Sequence, residues 1–276
     1  MATAMSYSET FQNHRGNAAD KWEGYLLTYD IELEPLRSRV RKMLEIGVQN
    51  GGSLEVFASY FQQAECLVGL DICTDCRHLS FSDPRIHVEI GDATSTAARQ
   101  QLARAYGSFD LIVDDGSHQS TDITQSFFAM LELLAPGGTY IAEDLCCVYW
   151  KEFGGGLKSP QSPMQLFKHL ADVINHEHWR SGVSIADHLM AMGYGDISPE
   201  ALERISAIRS ISFYNSICII RTNTFSFENK IGKRFCRGDI YTLGFRSTNG
   251  EDISSVGQAQ TDNPYNLLAA PPAVGR

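Results

Sequence analysis

Between residues 43 and 145, short apolar runs alternate with segments of helical character, and this alternation restricts the fold more than any other feature. MLEIGV (43–48), CLVGLDI (66–72), RIHVEIGD (85–92), FDLIVDD (109–115) and TYIAEDL (139–145) read as five strands. SLEVFASYFQ (53–62), STAARQQLARAYG (95–107) and DITQSFFAMLELLAPGG (122–138) read as helices, the last stopped by Pro136-Gly137-Gly138. Strands separated by helices of this length pair in parallel through right-handed crossovers. The expected class is α/β, with a Rossmann-like, doubly wound, mostly parallel sheet.

The flanks break the pattern. Residues 1–20 are polar and read as a loose arm, and residues 21–41 read as helix divided at Pro35. After residue 150 come a glycine-rich loop (154–163), a helix (164–179) and further helix over 186–208. SISFYNSICIIRTN (210–223) alternates polar and apolar residues and reads as one late antiparallel strand at the sheet edge. The expected division is an N-terminal arm and helix (1–40), a ligand-binding core (41–150 and 209–245), a helical cap (151–208) and a tail (246–276) rich in Ser, Gly, Asn, Ala and Pro.

Composition excludes some functions. A formal net charge of -10 works against nonspecific nucleic-acid binding. No apolar run approaches bilayer length, and the N-terminus lacks the basic-then-apolar pattern of a leader, so the chain reads as cytoplasmic without a membrane partner. Cys73-x-x-Cys76 lacks the second pair that a structural zinc site wants, and the seven cysteines read as reduced thiols. His176 and His178 read as surface or cap residues, and Lys230, Lys233, Arg234 and Arg237 as a solvated face.

The chemistry concentrates where strands four and five end. Asp115 and His118 close one run, and Glu143 and Asp144 close the next. Residues just past the carboxyl ends of parallel strands line the ligand crevice. Three carboxylates and an imidazole there point to a hard divalent cation with a general base beside it: Mg²⁺, with Mn²⁺ and Ca²⁺ as alternatives. The bland alternative makes Asp114-Asp115-Gly116 a turn and Glu143-Asp144 a helix cap. Strand alternation turns Asp114 away from Asp115, toward cofactor or backbone. Tyr149 and Trp150 either stack on a substrate or cover the core.

Strand one runs into Glu45-Ile46-Gly47-Val48-Gln49-Asn50-Gly51-Gly52-Ser53, a glycine turn opening a helix. Its spacing is neither the dinucleotide fingerprint nor a phosphate-binding P-loop, which disfavours a dehydrogenase. Asp71 ends strand two, where a carboxylate accepts ribose hydroxyls, and Asp92 follows strand three, where it can face an adenine.

This set of glycine turn, acid after strand two and acid after strand three resembles the class I S-adenosylmethionine-dependent methyltransferases. The resemblance implies that Glu45, Gly47, Gly51 and Ser53 lie around the methionine part, Asp71 at the ribose and Asp92 near the adenine, with Asp114 beside the cofactor. Asp-Asp-Gly-Ser-His (114–118), Glu143-Asp144-Leu145, Tyr149-Trp150-x-x-Phe153, Lys21-Trp22-x-x-Tyr25 and FYNS (213–216) narrow it. They look like the metal-dependent sugar O-methyltransferases of antibiotic pathways, the macrolide type, a pattern shared with the cephalosporin hydroxylase group. That likeness implies Asp115, Glu143 and Asp144 as Mg²⁺ ligands, His118 as base, Tyr149 and Trp150 at a small glycosylated substrate, and a homo-oligomer. Cys146-Cys147 departs from it, since a polar residue is commoner there. Competing expectations are methylation of a catechol-like or other non-sugar diol, a hydroxylase-associated accessory that binds the cofactor without transferring methyl, and a catalytically silent assembly partner, against which the intact acid–base set argues.

Overall fold

Two helices, α1 (Tyr7–Gln12) and α2 (Glu23–Glu32), precede the first strand. The chain then runs β1 (Lys42–Ile46), α3 (Gly52–Tyr60), β2 (Cys66–Asp71), β3 (Ile86–Ile90), α4 (Thr96–Tyr106), β4 (Phe109–Asp114), α5 (Ser120–Leu131) and β5 (Leu134–Ala142). Helices α6 (Pro163–Ile174), α7 (Ile185–Ala191) and α8 (Pro199–Ser206) lead to β6 (Ile208–Tyr214) and β7 (Ile217–Thr222). The computed structural model describes residues 4–224, 230–240, 249–251, 259–263 and 266. Most of the expected tail lies outside the described residues.

The strands form one seven-stranded sheet in the order β3-β2-β1-β4-β5-β7-β6. Strands β1 to β5 are parallel, and the β6–β7 hairpin docks antiparallel on β5 through β7. Strand β1 has β2 on one side and β4 on the other, so the chain reverses its direction of growth there. A crevice opens beyond the carboxyl ends of strands at such a switch point. Alternation along the strands divides the core. Leu44, Ile46, Ile112 and Tyr140 pack with Leu102, Phe127 and Phe167 of α4, α5 and α6. Met43, Leu111, Val113 and Ile141 pack with Tyr7, Tyr29 and Phe57 of α1, α2 and α3.

Three segments differ from expectation. Helix α5 ends at Leu131, and Pro136-Gly137-Gly138 lies inside β5 instead of stopping the helix. Pairing jumps from Phe109↔Leu134 to Leu111↔Thr139, so these residues occupy an irregularity where a missing donor and a positive φ of 79° at Gly137 are tolerated. Residues 210–223 hold two strands, because Asn215-Ser216 turns the chain between the paired Tyr214 and Ile217, with Ser216 at φ 69°. The N-terminal arm is anchored. Ser6 and Glu9 form a capping box for α1, and Tyr7 is fully buried, its ring centroid 5.0 Å from that of Tyr29 and 5.3 Å from that of Phe57. Truncating an aromatic buried this way costs about 3–5 kcal/mol.

Candidate active site

Strand alternation sorts the acids at the crevice. Glu45, next to last in β1, and Asp115 and Glu143, one residue past β4 and β5, lie on the face that carries the N-terminal arm, and all three lie around Lys21. Asp114 falls on the other face, where its Oδ2 accepts from Ser126 Oγ at 2.5 Å and from Tyr140 Oη at 2.7 Å. Burial raises its pKa, and these two donors oppose the rise. Asp144 leaves the strand at φ 51°, a left-handed turn that brings it to the same chamber as Glu143. Gln49 and His118 also have positive φ, at 50° and 59°, so three non-glycine residues of this one chamber carry backbone strain. Each such conformation costs on the order of 1–3 kcal/mol and aims a side chain that an unstrained backbone would direct elsewhere.

The turn after β1 is built on close approach. Gly47 has φ 89°, and a Cβ there would lie 2.1 Å from the carbonyl oxygen of Asp115. A Cβ on Gly52 would lie 2.2 Å from the carbonyl oxygen of Asn17, so the arm crosses directly over the start of α3. Asp71 ties the turn to β2. Its Oδ2 accepts from the amides of Val48 at 2.7 Å and Gln49 at 3.1 Å, and its Oδ1 from Cys73 at 2.8 Å. Burial works against its charge, but the amides outweigh it and hold the carboxyl below its usual range. A cleft of about 210 Å³ lies alongside, walled by Leu70, Ile72, Ala93 and Ile123 with Asp71, Asp92 and Asp114 at its edges. Asp92 is exposed, and its Oδ1 accepts from both the amide and the hydroxyl of Thr94.

A second cleft, of about 510 Å³, holds the acidic cluster and shares Gly47, Asp71 and Gly116 with the first. The Nζ of Lys21 donates to Asp115 Oδ2 at 2.5 Å and to Glu143 Oε2 at 2.7 Å, with its side chain 2% exposed. Tyr29 Oη donates to Glu143, and Tyr25 Oη donates to Asp144 Oδ1 at 2.6 Å while accepting from the Asp144 amide at 3.1 Å. His118 Nε2 lies 3.6 Å from Asp144 Oδ2. Burial alone would discharge Lys21, yet Glu143, Asp115 and Glu45 together raise its pKa, so the ammonium stays charged. Burial pushes Glu143 up to about 7, since it receives only a share of that one cation. Burial likewise pushes Glu45 up to about 8. Its Oε1 accepts from Ser53 Oγ at 2.5 Å, and its Oε2 is buried without a partner.

One potential ligand atom each from Asp115, His118 and Asp144 lies within 4.8 Å of the others. Glu143 was expected beside the other two carboxylates. His118 joins Asp115 and Asp144 in that group, and Glu143 stands beside Asp115, since Lys21 Nζ bonds to both, while Tyr29 also donates to it. The donor set still fits a cation: carboxylates converge here, and the protein already places a positive charge between two of them. Tyr149 and Trp150 are 42% and 48% exposed just past this cluster, and the Trp150 ring lies 6.0 Å from that of Phe153. Gly51, at φ 80°, caps α3.

The sequence motif includes Lys21 and Tyr25 but assigns neither a role, and it does not single out Tyr29. Tyr25 and Tyr29 stand four residues apart on one face of α2, Lys21 lies four residues before Tyr25 just ahead of the helix, and all three meet the acids. That period was the available signal. Lys230 also departs from expectation, because its Nζ donates to the carbonyls of Val173 and Ile208 at 3.4 and 3.2 Å. Among the described residues, no helix is long and apolar enough to cross a membrane.

Residues 44–145 match a family model described as a methyltransferase domain. The chain is 33% identical over 175 residues to the 8-demethyl-8-alpha-L-rhamnosyl tetracenomycin-C 2'-O-methyltransferase of Streptomyces olivaceus, covering 60% of this chain and 45% of that one. It is 35% identical over 159 residues to the mycinamicin VI 2''-O-methyltransferase of Micromonospora griseorubida, covering 54% and 39%. The chain thus spans less than half the length of these curated relatives. A structure of the MycE methyltransferase from the mycinamycin biosynthetic pathway, in complex with Mg and SAH, superposes with a TM-score of 0.66 at 25% identity, covering 86% of this chain and 58% of that one. A complex of the same enzyme with Mg, SAH and mycinamycin VI gives 0.63 at 25% identity, covering 79% and 55%. Residues 44–145 are thus similar in sequence to methyltransferase domains, and over most of its length the chain shares the Rossmann-like fold that MycE adopts.

Proposed function

We propose that the chain transfers a methyl group from S-adenosyl-L-methionine to a sugar hydroxyl of a glycosylated secondary metabolite, with Mg²⁺ in the acidic cleft and His118 as general base. The observation that carries this reading is the wall common to the two clefts, formed by Gly47, Asp71 and Gly116. A donor nucleoside in the first cleft would present its reactive end where the second begins, beside Asp115, His118 and Asp144. The relatives supply the acceptor class: both are named as O-methyltransferases, one of a rhamnosyl tetracenomycin.

On the donor side, the apolar wall of Leu70, Ile72 and Ala93 would cover the adenine with Asp92 at its edge. Asp71 spends three acceptor positions on backbone amides and keeps capacity for a ribose hydroxyl. Glu45 Oε2, buried and unpartnered, would meet the amino group of the methionine part.

On the acceptor side, Asp115, Glu143 and Asp144 would hold the cation. Mg²⁺ takes oxygen donors, which leaves the imidazole free to handle a proton. When bound, the cation lowers the pKa of a hydroxyl brought to it and so makes a poor nucleophile competent at neutral pH. His118 accepts the acceptor's proton on its ring, and the Asp144 carboxylate 3.6 Å away offsets the charge the ring acquires. Tyr25 fixes Asp144 through two hydrogen bonds, and positioning of this kind supplies much of the rate.

The test is His118→Ala, assayed for methyl transfer to glycosylated acceptors with Mg²⁺ or with chelator, beside calorimetry of S-adenosyl-L-methionine. Expected are loss of turnover by about 10²–10⁴-fold and unchanged donor binding. Unchanged turnover removes His118 as the base. Absence of donor binding in the wild type removes the methyltransferase reading.

A further inference from the structure

We propose a second metal site, separate from the active site, in which His169, Asp172 and His188 bind a divalent transition ion of the Zn²⁺ class. His169 and Asp172 stand three residues apart on α6, so both project from one face of that helix. His188 comes from α7, across the turn that carries Trp179. One potential ligand atom from each of the three lies within 4.8 Å of the other two. The His169 and His188 rings meet edge to face at 6.0 Å, and the Trp179 ring lies 4.9 Å from His188.

A second observation points to a missing ligand. His188 Nε2 is buried and has no hydrogen-bond partner, although buried polar atoms are seldom left unpaired. Two imidazoles and one carboxylate suit Zn²⁺, with bonds of about 2.0–2.2 Å and neighbouring donors about 3.3–3.6 Å apart in a tetrahedral centre. Closing the site therefore needs side-chain adjustments on the order of 1 Å, with water as the fourth ligand. Neither of the two clefts described above is lined by these residues. The site joins two helices. A bound ion would clip α7 to α6 across the intervening turn and stabilise the cap by closing that loop.

Zinc content after equilibration with ZnSO₄ and desalting tests the assignment. The parent is the full chain carrying Asp115→Asn and His118→Ala, which silences the active-site cluster. His188→Ala and Asp172→Asn are then added singly, and whatever Cys73 and Cys76 take up is common to all three proteins and cancels. The expected result is one equivalent of Zn²⁺ lost with either substitution, no displacement from the parent by tenfold excess Mg²⁺, and a Zn²⁺-induced rise in Tm present only in the parent. Asp172 is exposed, so its variant keeps the test valid should His188→Ala fold poorly. Equal zinc content in the parent and the Asp172→Asn protein overturns the proposal, as does a parent that retains no zinc.

Discussion

Replacing Lys21 by Met tests the electrostatic logic of the acidic cleft directly. The side chain is 2% exposed, Glu143 beside it is 1% exposed and Asp115 is 23% exposed. Methionine preserves the bulk and removes the only cation that contacts both carboxylates among the described residues. Removing one partner of a buried ion pair costs about 3–5 kcal/mol, because the remaining charge stays desolvated. Asp115 retains some access to water, so the cost falls mainly on Glu143. At about 2.1 cal/mol/K per residue, a chain of 276 residues unfolds with an entropy of roughly 0.6 kcal/mol/K, and the penalty becomes about 5–9 °C in Tm. The assay is thermal unfolding in chelator and in saturating Mg²⁺. In chelator Lys21→Met melts below the wild type by that amount. In Mg²⁺ the gap narrows by at least about half, since a cation held by Asp115 and its neighbours replaces the lost ammonium. A variant that melts within about 1 °C of wild type in chelator refutes the neutralising role of Lys21. A gap unchanged by Mg²⁺ refutes the claim that the ammonium and a divalent cation serve the same carboxylates.

Glu45→Gln should alter the pH dependence of stability. A carboxyl raised from 4.5 to about 8 on folding imposes no penalty below pH 4.5 and a growing one up to pH 8. The variant should therefore gain on the order of 4 kcal/mol over wild type near pH 8, with the advantage fading toward pH 5. A difference that is flat in pH would contradict the buried-acid assignment. Gly47→Ala introduces a Cβ 2.1 Å from the Asp115 carbonyl at φ 89°, and should cost about 3 kcal/mol or more while weakening donor binding. Calorimetry and thermal unfolding would detect either effect, and a variant with wild-type values would show that the turn can relax.

The parallel core was legible in the sequence because strand and helix periods differ, and five apolar runs with helices in three of the four gaps admit few topologies. The carboxylates were legible for the same reason, since Asp115, Glu143 and Asp144 stand at strand ends where a parallel sheet opens its crevice. Local punctuation misled where two outcomes use the same residues: Pro136-Gly137-Gly138 suits a helix stop and a strand irregularity alike, and only pairing with β4 decides. Asn215-Ser216 is a turn because β7 finds β5 as a partner. What only the tertiary structure decided was which charge meets which. Lys21 is distant in sequence from Asp115 and from Glu143, yet bonds to both, because the arm segment that leads into α2 packs over the ends of the strands. Sequence pattern reports the face on which a side chain lies. The partner it finds there depends on packing between elements that no local period encodes.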